Sequence, residues 1–525
     1  MHWARWGDPA LATPLPDAVR NLVIGALGVS GEPTITVEME DVRLPEGTLP
    51  AEFASAVESL LGAEHVRTDH ESRVRHTRGK STPDLLKIRS GDGSDAPDAV
   101  LLPGNHDDVQ SLIELCAKHR VAAVPFGGGT SVVGGLAVSR DDFAGIIAMD
   151  LSRLDKLIGV DPISQTAELE AGLLGPAAEA LLAEHGFTIG HFPQSFEYAS
   201  IGGFAAARSS GQASAGYGRF DSIVVGVKVA TPIGTLELGS APANAAGPDL
   251  REVIMGSEGA FGVITSVKVR VRPVPETRAY EAWRFGSFPE GATALRILAQ
   301  AGPTPTILRL SDEAETFVGL AKPSEVGAAD ASGCLMITGY EDTSDHVAST
   351  RAAVTEILTG LGGTILGEDE GASWANGRFH GPYLRDSLLD AGVLAETLET
   401  ATFWSNMTNL YDRVRDAVTE SLTGKGTPPI VLCHISHVYA TGVSLYFTVV
   451  AKQTEDPLTQ WLEAKSAAST AMIDAGATIT HHHGVGRDHK PWMAQEIGPV
   501  GVEILRAVKD RIDPVGILNP GVLIP

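Results

Sequence analysis

The spacing of apolar positions changes along the chain, and each spacing predicts a different element. Val109, Leu112, Ile113 and Cys116 recur three to four residues apart, which predicts a helix over residues 107–119. Short apolar runs between turn residues predict buried strands. By these criteria we predict strands at 121–124, 146–151, 166–171 and 263–271, and a helix at 175–185.

Turn signals connect several of these segments. Pro232-Ile-Gly234 separates residues 223–230 from 235–238, which predicts a hairpin. Pro273 and Pro275 are expected to end the strand that precedes them. Because helices, strands and hairpins intermix, the predicted fold class is α+β. Beyond residue 276 we predict helices at 292–301, 348–360 and 407–422 and strands at 335–338 and 444–450.

The pattern divides the chain of 525 residues into four predicted parts. At 43% hydrophobic and 20% charged residues, the composition is that of an ordinary globular protein. No apolar run reaches about 18 residues, so we expect no membrane-spanning helix. The parts are an N-terminal segment (1–95), a first domain (96–276), a second domain (277–475) and a C-terminal segment (476–525).

Charge and cysteine content narrow the function. The 40 Lys and Arg against 65 Asp and Glu give a net charge of −25, which disfavours nucleic acid as a partner because its approach would be repulsive. Three cysteines outside any CxxC pair predict neither a disulfide framework nor a cysteine zinc site, and they suit the reducing cytoplasm. The basic cluster from Arg73 to Lys80 is interpreted as a solvated turn, with contact to a phosphate or carboxylate as the alternative.

The segment from Pro125 to Gly135 is the strongest candidate site, with five glycines in eleven residues after a predicted strand. Glycines let the backbone approach a ligand closely, so that several N–H groups can converge on one anion. The spacing is neither GxGxxG opening a helix nor a P-loop, which disfavours a nicotinamide Rossmann site and a P-loop. We predict a diphosphate ligand here, with a purely structural turn as the alternative.

Two further loops carry glycine and serine in the same domain, at 193–203 and 255–264, with Arg208 shortly after the first. Each loop alone can be explained as a tight turn. Together the three loops could line one long ligand, because they occur within about 140 residues of one domain.

These loops resemble the FAD-binding segments of the vanillyl-alcohol-oxidase/PCMH-type flavoprotein superfamily. Within it, the chain is most similar to the alkylglycerone-phosphate synthases. The resemblance implies a PCMH-type FAD-binding domain of two α/β subdomains, an α+β cap domain, non-covalent FAD and a homodimer with peripheral membrane contact. The similar segments are 6–9, 378–386, 396–400, Thr480-His-His-His-Gly-Val-Gly486 and 513–521.

The resemblance also implies roles for single residues. Arg385 and Arg309 would bind substrate, Tyr446 would accept a proton, and the active-site loop would contain His481, His482 and His483. The implied FAD contacts are Pro125, Phe126, Gly127, Gly128, Gly129, Thr130, Ser131, Pro193, Gln194, Ser195, Phe196, Glu197, Tyr198, Ala199, Ala206, Ala207, Arg208, Ser209, Glu258, Gly259, Ala260, Phe261, Gly262, Val263 and Ile264.

The implied reaction replaces the acyl group of acyl-dihydroxyacetone phosphate by a fatty alcohol, through a flavin N5 adduct and without net redox change, in ether-lipid synthesis. An arginine fork suits the phosphate, and Tyr or His can move the proton when their surroundings tune them. The alternatives are an FAD-linked oxidase or dehydrogenase of a 2-hydroxy acid or alcohol, and a flavin-free binding protein. Compared with the eukaryotic members, the chain lacks the long N-terminal extension with peroxisomal targeting, so we expect a cytoplasmic, bacterial-type protein.

The same residues have ordinary structural explanations. Tyr446 can be a core tyrosine, and Arg385 a helix-surface charge beside Asp386. In an extended segment His481 and His483 would share one face and His482 the other. A zinc site on these histidines is an alternative for which no nearby pattern supplies the remaining ligands. His434 and His437 stay undecided, and no helices that would form an acyl tunnel are identifiable.

Overall fold

The computed structural model describes residues 1–12, 14–15, 17–29, 34, 36–138, 140, 142–319 and 332–525. Helices and β-sheets occur throughout these residues, which confirms the α+β class. The helices are α1 (Asp17–Leu27), α2 (Ala51–Leu61), α3 (His70–Arg75), α4 (Thr82–Arg89), α5 (His106–His119), α6 (Gly175–Ala183), α7 (Ile201–Ala206), α8 (Ser214–Tyr217), α9 (Phe220–Ile223), α10 (Arg251–Ile254), α11 (Phe288–Ala301), α12 (Glu313–Val318), α13 (Ser344–Gly360), α14 (Glu368–Gly377), α15 (Gly381–Asp390), α16 (Met407–Gly424), α17 (Pro457–Asp474) and α18 (Met493–Ile512).

A four-stranded sheet opens the first half of the fold. Its strands lie in the order β1 (Val66–Arg67), β2 (Ala99–Leu101), β4 (Gly145–Asp150) and β3 (Val121–Phe126), and the last three are parallel. Helix α5 begins at the N-cap Asn105, whose side chain accepts the N–H of Asp108. Its predicted apolar face is fully buried against this sheet, which confirms the helical spacing of residues 109–116.

A five-stranded antiparallel sheet follows, in the order β5 (Leu157–Asp161), β6 (Thr166–Glu170), β10 (Val263–Arg270), β8 (Val224–Thr231) and β9 (Gly234–Leu238). Strands β8 and β9 form the predicted hairpin around Pro232-Ile-Gly234. Strand β10 ends at Arg270, which confirms the expected stop before Pro273 and Pro275. A separate short strand, β11 (Arg272–Pro273), then pairs with β7 (Phe187–Thr188) in a two-stranded ladder.

The second half is built on a seven-stranded antiparallel sheet with α11, α13, α16 and α17 packed against it. All the elements predicted between 292 and 450 fall within these helices and strands. The division of the chain at residues 95, 276 and 475 stays a prediction. The strand order is β15 (Thr364–Gly367), β12 (Thr277–Phe285), β14 (Cys334–Asp342), β13 (Ile307–Ser311), β17 (Ile430–Ile435), β18 (Gly442–Lys452) and β16 (Val393–Phe403).

The basic cluster is not a solvated turn, so that interpretation is wrong. Arg78 and Lys80 are only 5% exposed. The Arg78 guanidinium donates to Asp95 at 2.8 Å, and the Lys80 ammonium donates to the carbonyls of His2 and Trp3 at 2.7 and 2.9 Å. The alternative, contact with a carboxylate, is therefore met inside the protein, between Arg78 and Asp95. Lys80 ties the N-terminal residues to the fold.

Candidate active site

A cavity of about 430 Å³ lies where the glycine loop, the histidine loop and the seven-stranded sheet, which we call the cap sheet, meet. We call residues 125–135 the glycine loop and residues 480–486 the histidine loop. The cavity is also lined by α15 and by one face of β17 and β18. It therefore brings together segments that are more than 300 residues apart in the sequence.

The glycine loop presents free backbone donors to this cavity. Residues 128 to 132 all line it, and among the described residues their N–H groups donate no hydrogen bond. The loop holds its shape by close backbone packing, since a Cβ on Gly128 would lie 1.6 Å from the Tyr198 carbonyl oxygen. Converging amides without acceptors are what a diphosphate needs, so the loop fits that part of FAD.

Most of the residues implied as FAD contacts border the same cavity, although they come from four separate segments. The ones that line it are Pro125, Gly127, Gly128, Gly129, Thr130, Ser131, Pro193, Gln194, Ser195, Ala199, Ala206, Ala207, Ser209, Glu258, Gly259, Gly262 and Ile264.

The other implied FAD contacts do not line this cavity. The Arg208 guanidinium forms ion pairs with Asp221 and Glu252, each at 2.9 Å. Tyr198 and Phe126 face a second cavity of about 400 Å³ behind the glycine loop. The remaining ones pack in apolar clusters or lie on the loop surface: Phe196, Glu197, Ala260, Phe261 and Val263.

A buried carboxylate holds the histidine loop. Glu399, on β16, accepts the backbone N–H groups of His481, His482 and His483 at 2.6, 3.1 and 3.0 Å. It also accepts the Thr480 hydroxyl at 2.5 Å. Burial acts to raise the pKa of Glu399, but the side chains of His482, His483 and His481 outweigh it and keep the pKa well below its usual value. Sequence reasoning quoted this segment only for its resemblance and missed its role.

A second carboxylate anchors the other end of the loop. Glu258 accepts the N–H groups of Val485 and Gly486 at 2.9 and 2.8 Å. Burial raises the pKa of Glu258 to about 7 in spite of these two donors. The residue was implied as a flavin contact, and the structure shows that it joins the first half of the chain to the histidine loop.

The histidine side chains do not alternate as an extended segment would require. The backbone bends at residues 481–483, so that His482 and His483 both line the cavity, whereas His481 does not. His481 Nε2 instead shares a hydrogen bond of 2.5 Å with the Tyr439 hydroxyl. The alternation of an extended segment, with His481 and His483 on one face, therefore does not apply to this bent loop.

Three histidines form a group whose ring nitrogens lie within 4.8 Å of one another: His437, His481 and His482. Hydrogen bonds already engage them, since His437 Nδ1 lies 2.7 Å from the Ser214 hydroxyl and 3.1 Å from that of Ser210. His481 Nδ1 lies 2.9 Å from His482 Nδ1. We describe the group as a hydrogen-bonded network that supports the cavity wall.

Three arginines line the cavity, and they differ in how their charge is compensated. Arg309 lies 2.5 Å from a buried Glu315 oxygen. Arg385 donates to the Lys80 carbonyl at 2.6 Å and lies 3.5 Å from Asp386. Arg378, which sequence reasoning did not assign, has no carboxylate within 4 Å among the described residues and packs near aromatic rings. Arg378 opens the segment 378–386 that carries the resemblance, and this was the signal that could have found it.

Tyr446 lies at the centre of the cavity wall. Its ring stacks on His434 with centroids 4.8 Å apart, and it lies 6.2 Å from the ring of His482. Burial raises the pKa of Tyr446 to about 12, so the hydroxyl keeps its proton at neutral pH. It can therefore accept a proton only after it has donated its own.

One face of β17 and β18 forms an apolar arm of the cavity. The register pairs Ile430 with Val450 and Leu432 with Thr448, and the next pair along the same face is His434 with Tyr446. Helices α1, α12 and α15 contribute half of the apolar residues of this arm, and strands contribute the other half. The apolar arm consists of Val19, Val318, Leu384, Leu388, Ala395, Ile430, Leu432 and Val450.

No helix among the described residues is both long and apolar enough to span a bilayer.

Comparison with known proteins gives relatives for both halves of the chain. Residues 97–239 match the family described as "FAD binding domain", and residues 274–523 match "FAD linked oxidases, C-terminal domain". The chain is 32% identical to an alkyldihydroxyacetonephosphate synthase of Trypanosoma brucei brucei, over 100% of this chain and 92% of that protein.

Solved structures extend the likeness to the fold. One of an alkyldihydroxyacetonephosphate synthase is 30% identical, with a TM-score of 0.83 over 99% of this chain and 98% of that chain. One of p-cresol methylhydroxylase is 16% identical, with a TM-score of 0.70 over 91% of this chain and 98% of that chain, and shows the fold alone. The fold is therefore PCMH-type, with a cap domain.

Proposed function

The chain belongs to the alkyldihydroxyacetonephosphate synthase family, and on this premise we propose that it replaces the acyl group of acyl-dihydroxyacetone phosphate by a fatty alcohol. FAD is the cofactor. The observation that carries the proposal is the continuity of one cavity from the glycine loop, past Arg385 and Tyr446, into the apolar arm. The anionic head group of the substrate thus matches the part of the cavity near Arg385, and its hydrocarbon chain matches the apolar arm.

The polar part of the cavity suits the phosphorylated ketone. Arg385 carries a planar charged fork for the phosphate, and Arg378 adds a guanidinium that has no carboxylate within 4 Å in the described part of the chain. The desolvated guanidinium groups gain most from an anion, because burial without a counter-ion is costly. We assign the head group of the substrate to this side.

Bound FAD supplies a covalent attachment point for the reacting carbon without net oxidation. The amides of the glycine loop, which have no acceptor among the described residues, would hold the diphosphate of FAD, and residues 193–195 and 206–209 flank the same space. The protein orients the substrate, excludes water from the apolar arm and moves protons at Tyr446 and the histidine loop. FAD held in this way should be released by acid precipitation.

The proposal is tested with purified protein, palmitoyl-dihydroxyacetone phosphate and radiolabelled hexadecanol. Label in an ether product that survives alkaline hydrolysis, with release of palmitate, is the expected result. Flavin bleaching by 2-hydroxy acids or alcohols, with no labelled ether, would instead identify an FAD-linked oxidase or dehydrogenase. A colourless preparation that forms no product would contradict both.

We further propose a cytoplasmic homodimer that touches membranes peripherally while it takes up its lipid. Three free and buried cysteines are compatible with a reducing compartment. Val500 and Ile504 on α18 are 72% and 59% exposed, which suits an apolar contact with a lipid surface. Light scattering would measure the oligomeric state. Flotation with phospholipid vesicles, compared between the wild type and Val500→Ser, would test the membrane contact.

A further inference from the structure

A buried carboxylate and a histidine form a pair beside the reacting region. Glu315, on α12, is fully buried, and its Oε2 lies 2.9 Å from His434 Nδ1. Its other oxygen, Oε1, accepts Arg309 Nη2 and the Ser311 hydroxyl. His434 lines the cavity, and its Nε2 has no hydrogen-bond partner among the described residues.

The surroundings determine which nitrogen of His434 carries the proton. Burial acts to raise the pKa of Glu315, but His434 and Arg309 outweigh it and bring the pKa to about 2, so the carboxylate is ionised. An ionised oxygen 2.9 Å from Nδ1 can only accept a hydrogen bond, so Nδ1 bears the hydrogen. Arg309 Nη2 contacts both Nδ1, at 3.0 Å, and Glu315 Oε1. The ionised carboxylate, which has no hydrogen of its own, decides the tautomer, because a lone pair on Nδ1 would repel it. The lone pair is therefore on Nε2.

The position of His434 on its strand supplies the second argument. Ile430, Leu432 and His434 alternate on one face of β17, so the apolar arm leads to the imidazole in about 13 Å at 3.3 Å per residue. An alcohol whose chain lies in the arm would place its hydroxyl at this end. Burial also lowers the pKa of His434, which leaves the ring neutral and able to accept a proton.

We infer that His434 is a catalytic base that accepts the proton of the incoming fatty alcohol, with Glu315 and Arg309 as positioning residues. The inference rests on the proposed function. The alcohol O–H bond breaks as the oxygen forms its bond to C1 of the glycerone unit, and the proton moves to Nε2. The acyl group leaves C1 as a carboxylate with the electron pair of its C–O bond. The imidazolium, paired with Glu315, then returns the proton to solvent.

The test separates alcohol addition from acyl release. His434→Asn keeps a donor for Glu315 but removes the base. Single-turnover palmitate release without alcohol should stay within twofold of the wild type, whereas transfer of hexadecanol should fall about 100-fold, the lower end for a lost general base. With 2,2-difluorohexadecanol, whose hydroxyl is more acidic, the loss should shrink to about tenfold. His106→Asn, whose ring bonds two threonine hydroxyls outside the cavity, is the matched control and should change neither step.

The outcomes distinguish the inference from the proposed function. A wild type that forms no ether product overturns the proposed function. If the wild type forms the ether product, two results overturn the role of His434. One is that His434→Asn is as active as the wild type, and the other is that its loss of activity is the same with both alcohols. If His434→Asn loses its flavin, Glu315→Gln decides. This variant keeps the imidazole of His434 but removes the ionised acceptor of its Nδ1 hydrogen. A loss of about tenfold that affects only alcohol transfer supports the inference, and unchanged alcohol transfer overturns it.

Discussion

The glycine loop and the histidine loop are both irregular segments at one cavity, but their backbones are used in opposite ways. The amides of residues 128–132 have no acceptor among the described residues, so they are available to a ligand. The amides of residues 481–483, 485 and 486 are all bound by the carboxylates of Glu399 and Glu258. Backbone N–H groups that have no acceptor are available to bind an anion. N–H groups that already donate to a carboxylate instead hold the side chains of their loop in place.

The largest expected effect comes from a substitution that disrupts the glycine loop. Gly128→Val should abolish flavin binding, because its Cβ would collide with the Tyr198 carbonyl and displace the loop. The ratio of flavin to protein absorbance measures this. Gly159→Val is the matched control, since a Cβ on Gly159 meets nothing within 4 Å, and it should keep full flavin. A yellow Gly128→Val protein would place the binding loop elsewhere.

The second prediction breaks the histidine loop. Glu399→Gln should lower turnover about 100-fold while flavin content stays normal, because the amide nitrogen now faces backbone N–H donors. Each hydrogen bond to a charged acceptor contributes about 1.5–3 kcal/mol, so the loss of more than one is large enough for the expected fall in turnover. The exposed Glu368→Gln serves as control. Normal turnover in Glu399→Gln would show that the loop does not depend on the carboxylate.

The third prediction concerns the substrate between the two loops. Arg385→Lys keeps the charge but loses the fork that spans the Lys80 carbonyl and a phosphate, so turnover should fall about tenfold with flavin retained. Steady-state kinetics with the phosphorylated ketone as the varied substrate would measure it, with the exposed Arg506→Lys as control. Unchanged kinetics would remove Arg385 from the head-group site.

The smallest effect sharpens the link between the loops. The folded pKa of Glu258, about 7, lies above its usual value of 4.5. A raised pKa gives stability that is complete below pH 4.5 and is lost as the pH rises through 7, by at most about 3 kcal/mol at 1.36 kcal/mol per unit. Glu258→Gln lacks this loss, so its melting temperature should gain a few degrees on the wild type between pH 5 and 8. A difference in melting temperature between the two proteins that does not change with pH would contradict the raised pKa of Glu258.

Periodicity and composition predicted the elements that local sequence determines. The helix around Val109 and Leu112 was predicted within one residue of its observed bounds, and two of the seven strands of the cap sheet were predicted in part, since their spacing and flanking turns are local signals. The glycine loop was also predicted as a candidate site. The resemblance, more than the spacing, pointed to Arg385 and Tyr446.

The rest depends on partners that are remote in sequence. His434 acquires a role only beside Glu315, which lies 119 positions earlier, and Glu399 meets histidines more than 80 positions later. Ile430 and Leu432 could not be distinguished from core strand residues, because a cavity wall and a packed face have the same alternation. The buried charges of Arg78 and Lys80 were missed because their acceptors, Asp95 and the first residues of the chain, are invisible to a local pattern.

Amide hydrogen exchange of the two loops, measured with and without FAD, tests the central claim most directly. In the flavin-free protein, a peptide covering residues 128–132 should exchange quickly and one covering 481–486 slowly. Adding FAD should slow exchange in the first peptide by at least tenfold and leave the second unchanged. A glycine loop that is protected without FAD, or that FAD does not protect, would contradict the account.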